Sequence, residues 1–174
     1  MKRWLVLIFV AIVVILIVLL IPKKEGERPI FFPKEDKIKI RLFFPDEQAE
    51  YFVVEEREVE KKEKEEDIAR LIIRELLKGP TNEDLYSAIP EGTKLREIYI
   101  YEDVLYVDFS PEISNNHPGG STGEIMTIFS VVNSLCANLT QYSVQILIDG
   151  KPQETLAGHI VLYEPLAFKK DMVK

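Results

Sequence analysis

STGEIMTIFSVVNSLCANL, residues 121–139, is the stretch on which the fold depends. Ser121 is followed three residues later by Glu124, a capping box that predicts the start of a helix at Ser121. Apolar residues then recur at helical spacing and form one stripe: Ile125, Ile128, Phe129, Val132, Leu135, Cys136 and Leu139. The opposite face carries Thr127, Ser130, Asn133 and Ser134. The pattern predicts an amphipathic helix whose apolar stripe must be covered by other elements.

Strand-like segments flank this helix on both sides. Leu95 to Tyr101 and Val104 to Phe109 are separated by Glu102-Asp103 and predict a hairpin. A long loop, Ser110 to Gly120, leads from the hairpin to the helix. After the helix, Val144 to Ile148 predicts a strand that turns at Asp149-Gly150, and Glu154 to Tyr163 predicts the returning strand.

A second helix and two more strands precede the hairpin. Ile68, Leu71, Ile72 and Leu76 recur at helical spacing, and Gly79-Pro80 predicts where that helix stops. Before it, Lys37 to Phe44 alternates apolar and basic residues, and Tyr51 to Val59 predicts a second strand. The order predicts an α+β fold with tandem helix–hairpin (αββ) units and two helices packed on one face of an antiparallel or mixed sheet.

The N-terminal segment predicts a membrane anchor. Residues 4–21 (WLVLIFVAIVVILIVLLI) are uninterruptedly apolar, and at about 1.5 Å per residue such a helix spans a hydrocarbon core of roughly 30 Å. The exit from this run offers no small-residue cleavage site, so we interpret it as an uncleaved transmembrane helix. We assign residues 1–3 to an N-terminal tail on the cytoplasmic side, 22–36 to a proline-rich linker, 37–166 to the folded domain and 167–174 to a C-terminal tail.

The orientation of the anchor has two opposing indications. The positive residues alone (Lys23, Lys24 and Arg28 against Lys2 and Arg3) favour a cytoplasmic domain, whereas a minimal charged tail before an apolar helix favours the opposite orientation.

The charge of the chain argues against nucleic-acid binding. The formal net charge is −7, and it becomes −9 once Lys2 and Arg3 are set aside. Nucleic-acid affinity depends largely on Lys and Arg side chains that neutralise phosphates. We therefore expect no nucleic-acid partner.

Several residues have the identity, but not the context, of catalytic or metal-binding groups. Residues 119–123 (GGSTG) match the G-x-S-x-G nucleophile elbow, and Asp149 and His159 lie downstream. A nucleophile elbow follows directly from a strand, however, and here a loop precedes Ser121. His117, His159 and Cys136 lack the short spacings of zinc sites. We expect no enzyme activity, no metal and no cofactor.

A set of landmarks in a fixed order resembles the GerMN domain family of sporulation and spore germination proteins. The resemblance covers about residues 38–166 and rests on FPD at 44–46, LLKGP at 76–80, IPEGTKL at 89–95, VDFS at 107–110, Gly119-Gly120 with Glu124, VNSL at 132–135 and the Asp149-Gly150 turn. It implies a domain displayed outside the cytoplasmic membrane on a lipid or helical anchor, a fold similar to ring-building modules, and no catalytic residues.

These observations predict a noncatalytic, membrane-anchored, extracytoplasmic module for envelope or sporulation-type assembly. Its expected partner is an envelope protein or a second copy of the chain. The alternatives are a cell-wall (peptidoglycan) ligand-binding domain and a small serine hydrolase that uses Ser121. The predicted contact surface is the long loop, with Asn115, Asn116, His117, Gly119 and Gly120 as its candidate binding residues.

Overall fold

A computed structural model describes Trp4 and residues 36–174 of the chain. The strands are β1 (Lys37–Pro45), β2 (Phe52–Glu60), β3 (Leu95–Tyr101), β4 (Val104–Phe109), β5 (Ser143–Ile148) and β6 (Lys151–Pro152). The helices are α1 (Glu65–Leu77), the single turn α2 (Glu112–Asn115) and α3 (Ser121–Cys136), and a 3-10 turn spans Lys170–Met172. The α+β class is confirmed.

The described strands form two sheets. β1 and β2 pair as an antiparallel hairpin, whereas the other four strands form a mixed sheet in the order β3-β4-β5-β6, with β4 and β5 parallel. In this sheet Val107 pairs with Ile98 on one side and with Ile146 on the other. Because side chains alternate along each strand, these residues share one face with Ile100, Leu105, Phe109, Val144 and Ile148, and this inner face supplies the core.

Both long helices contribute to that core. α1 buries Ala69, Ile72, Ile73 and Leu76, and the chain leaves it through Gly79, whose φ of +81° suits the glycine that the sequence provides there. α3 contributes Ile128, Val131, Val132 and Leu135 to the same cluster. The predicted helices are therefore present, and their apolar residues meet over the inner face of the four-stranded sheet.

The polar face of α3 is buried as well, which the amphipathic pattern did not predict. Ser130 and Ser134 are fully buried, and both bind the backbone of Phe43 in β1. Phe43 N–H donates to Ser134 Oγ at 3.0 Å, and Ser130 Oγ donates to the Phe43 carbonyl at 2.6 Å. Asn138 continues the series: it accepts from Arg41 N–H at 3.0 Å and donates to the Arg41 carbonyl at 2.8 Å.

These bonds replace a neighbouring strand along the free edge of β1. Four residues of helix rise about 6 Å, and two residues of strand rise about 6.6 Å. Ser134 and Asn138, which are four residues apart and lie on and just beyond α3, therefore match Phe43 and Arg41, which are two residues apart in β1. The edge of β1 is satisfied in this way, and the β1–β2 hairpin is attached to the helical layer.

The predicted strand from Glu154 to Tyr163 is wrong. The chain pairs with β5 through the two residues of β6 and again where Leu166 and Val144 exchange N–H···O bonds of 2.8 Å each. Between these points, the backbone N–H groups of Leu156, Ala157, His159 and Ile160 donate to the carboxylate of Glu124 in α3. Since those donors are occupied, the segment cannot form a regular strand there.

The C-terminal residues 167–174 lie against the domain. Lys169 N–H donates to Asn133 Oδ1 at 2.8 Å, and Lys174 N–H donates to the Phe52 carbonyl at 3.1 Å. The Lys174 ammonium group also pairs with Asp46 Oδ2 at 2.5 Å. The end of the chain thus closes over the turn of the β1–β2 hairpin.

Most of the predicted N-terminal features fall outside the described residues. This applies to the tail at 1–3, to the anchor at 4–21 except Trp4, and to the linker at 22–36 except Asp36. Among the helices that the structure describes, none combines the length and the apolar character needed to cross a membrane.

Replacing Ser134 by alanine tests the attachment of β1 to α3. The substitution leaves the buried N–H group of Phe43 without an acceptor, so we expect a loss of about 1–3 kcal/mol of unfolding free energy. Ser121→Ala is the matched control, because Ser121 is exposed in the first turn of the same helix. Urea denaturation of the two variants would measure the difference, and equal midpoints would contradict this account of the β1 edge.

Candidate functional site

The predicted contact loop lies at the carboxyl end of the parallel strands. β4 ends at Phe109 and β5 at Ile148, and these residues are register partners, so both carboxyl ends share one edge of the sheet. The loop of residues 110–120 leaves β4 at this edge and leads into α3. Crevices at the carboxyl ends of parallel strands are common ligand sites in α/β sheets. This position makes the edge the first candidate for function.

The Asp149-Gly150 turn at this edge is held by charged groups. Asp149 and Gly150 have φ angles of +52° and +75°, the left-handed geometry of a two-residue hairpin turn. Gly150 N–H donates to Asp108 Oδ1 at 2.8 Å. The guanidinium of Arg96 pairs with Asp108 Oδ2 at 3.1 Å and with Asp149 Oδ1 at 2.6 Å. Arg96 thereby neutralises both carboxylates and fixes the turn beside the loop.

A polar cleft separates this turn from the loop. Its volume is about 280 Å³, and its polar lining consists of Ser114, Asn115, Asp149, Lys151, Gln153 and Thr155. Lys151 is exposed, and within residues 36–174 it has no ion-pair partner in the structure. Because Asp149 is already paired, the cleft presents an ammonium group and amide groups to a ligand.

The loop itself is fixed by side-chain hydrogen bonds. Ser114 Oγ donates to the Leu156 carbonyl at 2.8 Å, and Asn116 Nδ2 donates to the Glu91 carbonyl at 2.9 Å. His117 Nδ1 accepts from Gly119 N–H at 2.9 Å, so the neutral ring carries its proton on Nε2. Nε2 lies 3.1 Å from Thr127 Oγ1 in α3 and donates to it. Thr127 Oγ1 in turn donates to the Ala88 carbonyl at 2.6 Å.

The predicted site residues therefore divide into three groups. Asn115 lines the cleft, and its amide has no hydrogen-bond partner within the described part of the chain. Asn116 and His117 instead hold the loop in place. Gly119 and Gly120 have φ angles of +85° and +82°, which permit the chain to turn into α3 and which side-chain-bearing residues rarely adopt.

Glu124 has a different role from the predicted capping box. The residue that caps α3 is Gly120, and no side chain caps the helix. The Glu124 side chain is completely buried, and Oε1 accepts from the N–H groups of Leu156 and Ala157 at 2.9 Å each and of Ile160 at 3.3 Å. Oε2 accepts from the N–H of His159 at 2.8 Å and lies 3.0 Å from its Nδ1. The carboxylate organises the whole segment that borders the cleft.

These donors determine the ionisation of Glu124. Burial by itself pushes the pKa of the carboxyl up, but the N–H groups of Ala157, Ile160 and His159 and the ring of His159 outweigh it and hold the pKa below its ordinary value of 4.5. Glu124 is thus a buried anion at neutral pH. Sequence reasoning missed this role because its donors lie more than thirty residues further along the chain, where no local pattern marks them.

The residues of the possible Ser-His-Asp triad are engaged elsewhere. His159 is bonded to Glu124 and Asp149 is paired with Arg96, while Ser121 is exposed at the start of α3. A nucleophilic serine needs a base within hydrogen-bond reach. In the described residues no such base is bonded to Ser121.

A second cavity lies at the opposite end of α3. It has a volume of about 440 Å³, is mainly apolar and includes Arg41, Cys136, Tyr142 and Phe168 in its lining. Burial raises the pKa of the Cys136 thiol to about 11, so the sulfur is not a thiolate at neutral pH. Among residues 36–174, no three His, Cys, Asp or Glu side chains are grouped in a way that could hold a metal ion.

Comparison with known proteins gives one family and several similar structures. The family model described as Germane, sporulation and spore germination, matches residues 41–154. No curated protein matches the chain.

The solved structures support the same fold. A candidate lipoprotein from Clostridium perfringens is 23% identical, with 78% of this chain and 89% of that chain covered and a TM-score of 0.53. The tandem GerMN domains of the sporulation protein GerM from Bacillus subtilis are 20% identical, with 85% of this chain covered and a TM-score of 0.61, and this chain spans 51% of that structure. The first GerMN domain of the same protein is 18% identical, with 77% of this chain and 99% of that chain covered and a TM-score of 0.56.

Glu124→Gln tests the buried carboxylate. The amide cannot accept from all the N–H groups that face it and places donors against donors, so we expect a loss of about 2 kcal/mol or more at pH 7. Because folding lowers the pKa of Glu124, its contribution is fully present above about pH 4.5 and is lost as the pH falls through the folded-state pKa. The stability gap between wild type and variant should therefore narrow below pH 4.5.

Urea titrations across this pH range, together with hydrogen exchange of the Leu156 and Ala157 amides, would measure the effect. Glu83→Gln is the control, because Glu83 is exposed. A pH-independent gap would contradict the assignment of Glu124 as a buried anion.

Proposed function

Because this chain belongs to the Germane family of sporulation and spore germination domains, we propose that it is a noncatalytic binding module displayed on the outer side of a cell membrane. The fold is that of the GerMN domains of a sporulation protein. The specific role proposed here, attachment of an envelope or sporulation-type assembly, extends this family membership to the chain's own surfaces.

Two observations support membrane display. Residues 4–21 form an apolar run of the length that a transmembrane helix needs, and residues 22–36 have the proline-rich, charged composition of a spacer. The similar structure from Clostridium perfringens is that of a candidate lipoprotein. A lipid anchor and a transmembrane helix serve the same purpose, since either one holds a folded domain at a membrane surface.

The single observation that carries the binding proposal is the fixed geometry of the loop beside its cleft. Ser114, Asn116 and His117 use their own polar atoms to hold the loop, whereas the side chains of Asn115 and Lys151 line the cleft and have no hydrogen-bond or ion-pair partner within residues 36–174. A surface that is already ordered loses little conformational entropy when a partner binds. We therefore propose that this cleft contacts an envelope protein or a second copy of the chain.

A cell-wall ligand is the second candidate. The cleft contains the amides of Asn115 and Gln153 and the ammonium group of Lys151, groups that hydrogen-bond the hydroxyl, acetamido and carboxylate groups of peptidoglycan. Retention of the protein on purified sacculi that depends on Lys151 would support this candidate over a protein partner.

Site-specific crosslinking tests the binding proposal directly. A photoreactive residue at Asn115, placed in the full-length chain in producing cells, should give a discrete adduct with an envelope protein or with a second copy. The same residue at Glu83, which is also exposed but is not among the residues that line the cleft, should not give that adduct. The proposal fails if the two positions give the same products or if position 115 gives none.

Ser121→Ala tests the noncatalytic part of the proposal. Since His159 is bonded to Glu124, we expect no serine-dependent activity, and the variant should match the wild type on ester and cell-wall substrates. Hydrolysis by the wild type that the variant loses would instead establish a serine hydrolase.

A further inference from the structure

The outer face of the four-stranded sheet carries exposed aromatic rings. Tyr99 of β3 and Tyr106 of β4 are register partners, and their rings stack with centroids 4.7 Å apart and planes within 6°. Tyr101 lies two residues further along β3, on the same face, and is 63% exposed, while Tyr99 is 43% exposed. Contiguous exposed aromatic surface is unusual on a soluble domain and often marks a contact site.

The C-terminal segment covers only the β5 side of this face. Gln145, the register partner of Tyr106, donates to the carbonyl of Leu162, and both Gln145 and Leu147 are buried. The Val161 and Tyr163 side chains of the covering segment are each 60% exposed. The tyrosines therefore occupy an open strip between the covering segment and the edge of β3.

The surroundings of the strip are acidic. Residues 97–106 and 154–166 contain five acidic residues (Glu97, Glu102, Asp103, Glu154 and Glu164) and neither lysine nor arginine. Arg70 neutralises Glu97, but the other four are exposed and have no ion-pair partner in the described part of the chain. Asp108, on the same face as Tyr106, is neutralised by Arg96, so the unpaired negative charge comes from these four residues.

Three other aromatic rings of the domain are in cation–π contact with a side chain of the same domain. Arg57 lies 5.7 Å from the ring centroid of Phe44, Lys169 lies 5.6 Å from that of Phe129, and Lys174 lies 5.1 Å from that of Tyr51. Within the described residues no cation lies over Tyr99 or Tyr106. The strip thus combines faces of aromatic rings with unpaired carboxylates, and the Arg96 guanidinium on the same sheet face is already engaged by Asp108 and Asp149.

We propose that Tyr99, Tyr101 and Tyr106 form a docking platform for a basic segment of a partner protein, which places arginine or lysine side chains over the rings and near Glu102 and Asp103. Cation–π contact supplies the attraction at the centre, and the carboxylates steer the segment toward it. An anionic lipid surface is the wrong partner, because the same carboxylates repel it. The platform is separate from the cleft at the carboxyl edge, so a failure of one proposal leaves the other intact.

A peptide titration tests the platform. The probe is the five-residue peptide Arg-Gly-Arg-Gly-Arg, with an acetylated N-terminus and an amidated C-terminus. It is added to the full-length, isotope-labelled chain in zwitterionic micelles. We expect the amide signals of β3 and β4 to shift, and Tyr99→Ala to weaken binding by about 3-fold or more. Tyr99→Phe should bind like the wild type, because it keeps the aromatic face.

The control is Tyr86→Ala, since Tyr86 is 41% exposed and belongs to a different surface. Binding that Tyr99→Ala and Tyr86→Ala weaken equally would overturn the platform, because the attraction would then be nonspecific. The platform is also overturned if the arginine peptide causes no amide shifts in β3 and β4. It is likewise overturned if the corresponding glutamate peptide, chito-oligosaccharides or anionic vesicles cause larger amide shifts there than the arginine peptide does. Urea denaturation of each variant would establish that it remains folded.

Discussion

The buried contact between α3 and the edge of β1 is the interaction on which the rest of the structure depends. The β1–β2 hairpin forms a sheet of its own, and an isolated hairpin is marginal in water. Ser130, Ser134 and Asn138 give β1 the hydrogen bonds that a third strand would have supplied. The opposite side of the same helix packs on the four-stranded sheet, and α1 also contacts both β1 and β3, so the two helices join the two sheets into one core.

A second buried polar contact determines the shape of the surface. The carboxylate of Glu124 binds the backbone of residues 156–160, and the segment it organises passes over Gln145 on the outer face of the sheet. Ser114 then binds the Leu156 carbonyl, which connects the predicted contact loop to the same segment. The position in which the Glu124 carboxylate holds this segment therefore determines the shape of the cleft and how much of the outer sheet face is covered.

The two surfaces proposed for binding differ in their chemistry. The cleft at the carboxyl edge presents an ammonium group and amides, because Arg96 neutralises the carboxylates beside it. The tyrosine strip presents aromatic faces with unpaired acidic residues around them. The two proposals therefore call for partners of opposite charge at the two surfaces.

The secondary structure of most of this protein was determined by its sequence. The β3–β4 hairpin has the predicted bounds, the two long helices lie where the apolar spacing placed them, and the Asp149-Gly150 turn has the expected geometry. The GerMN resemblance is confirmed by the family model. Each of these features depends on residues close together in the sequence, where periodicity and turn chemistry are strong signals.

Tertiary structure decided how polar side chains are used. Glu124 matched a capping box, yet it binds donors more than thirty residues away, and the serines on the polar face of α3 are buried against a strand about ninety residues earlier. That capture of backbone donors also prevented the predicted strand from Glu154 to Tyr163. Distant contacts likewise separate Asn116 and His117, which hold the loop, from Asn115, whose amide has no hydrogen-bond partner among the described residues. Local pattern cannot reveal these roles, because a polar side chain satisfies its hydrogen bonds with whichever backbone groups the fold brings to it.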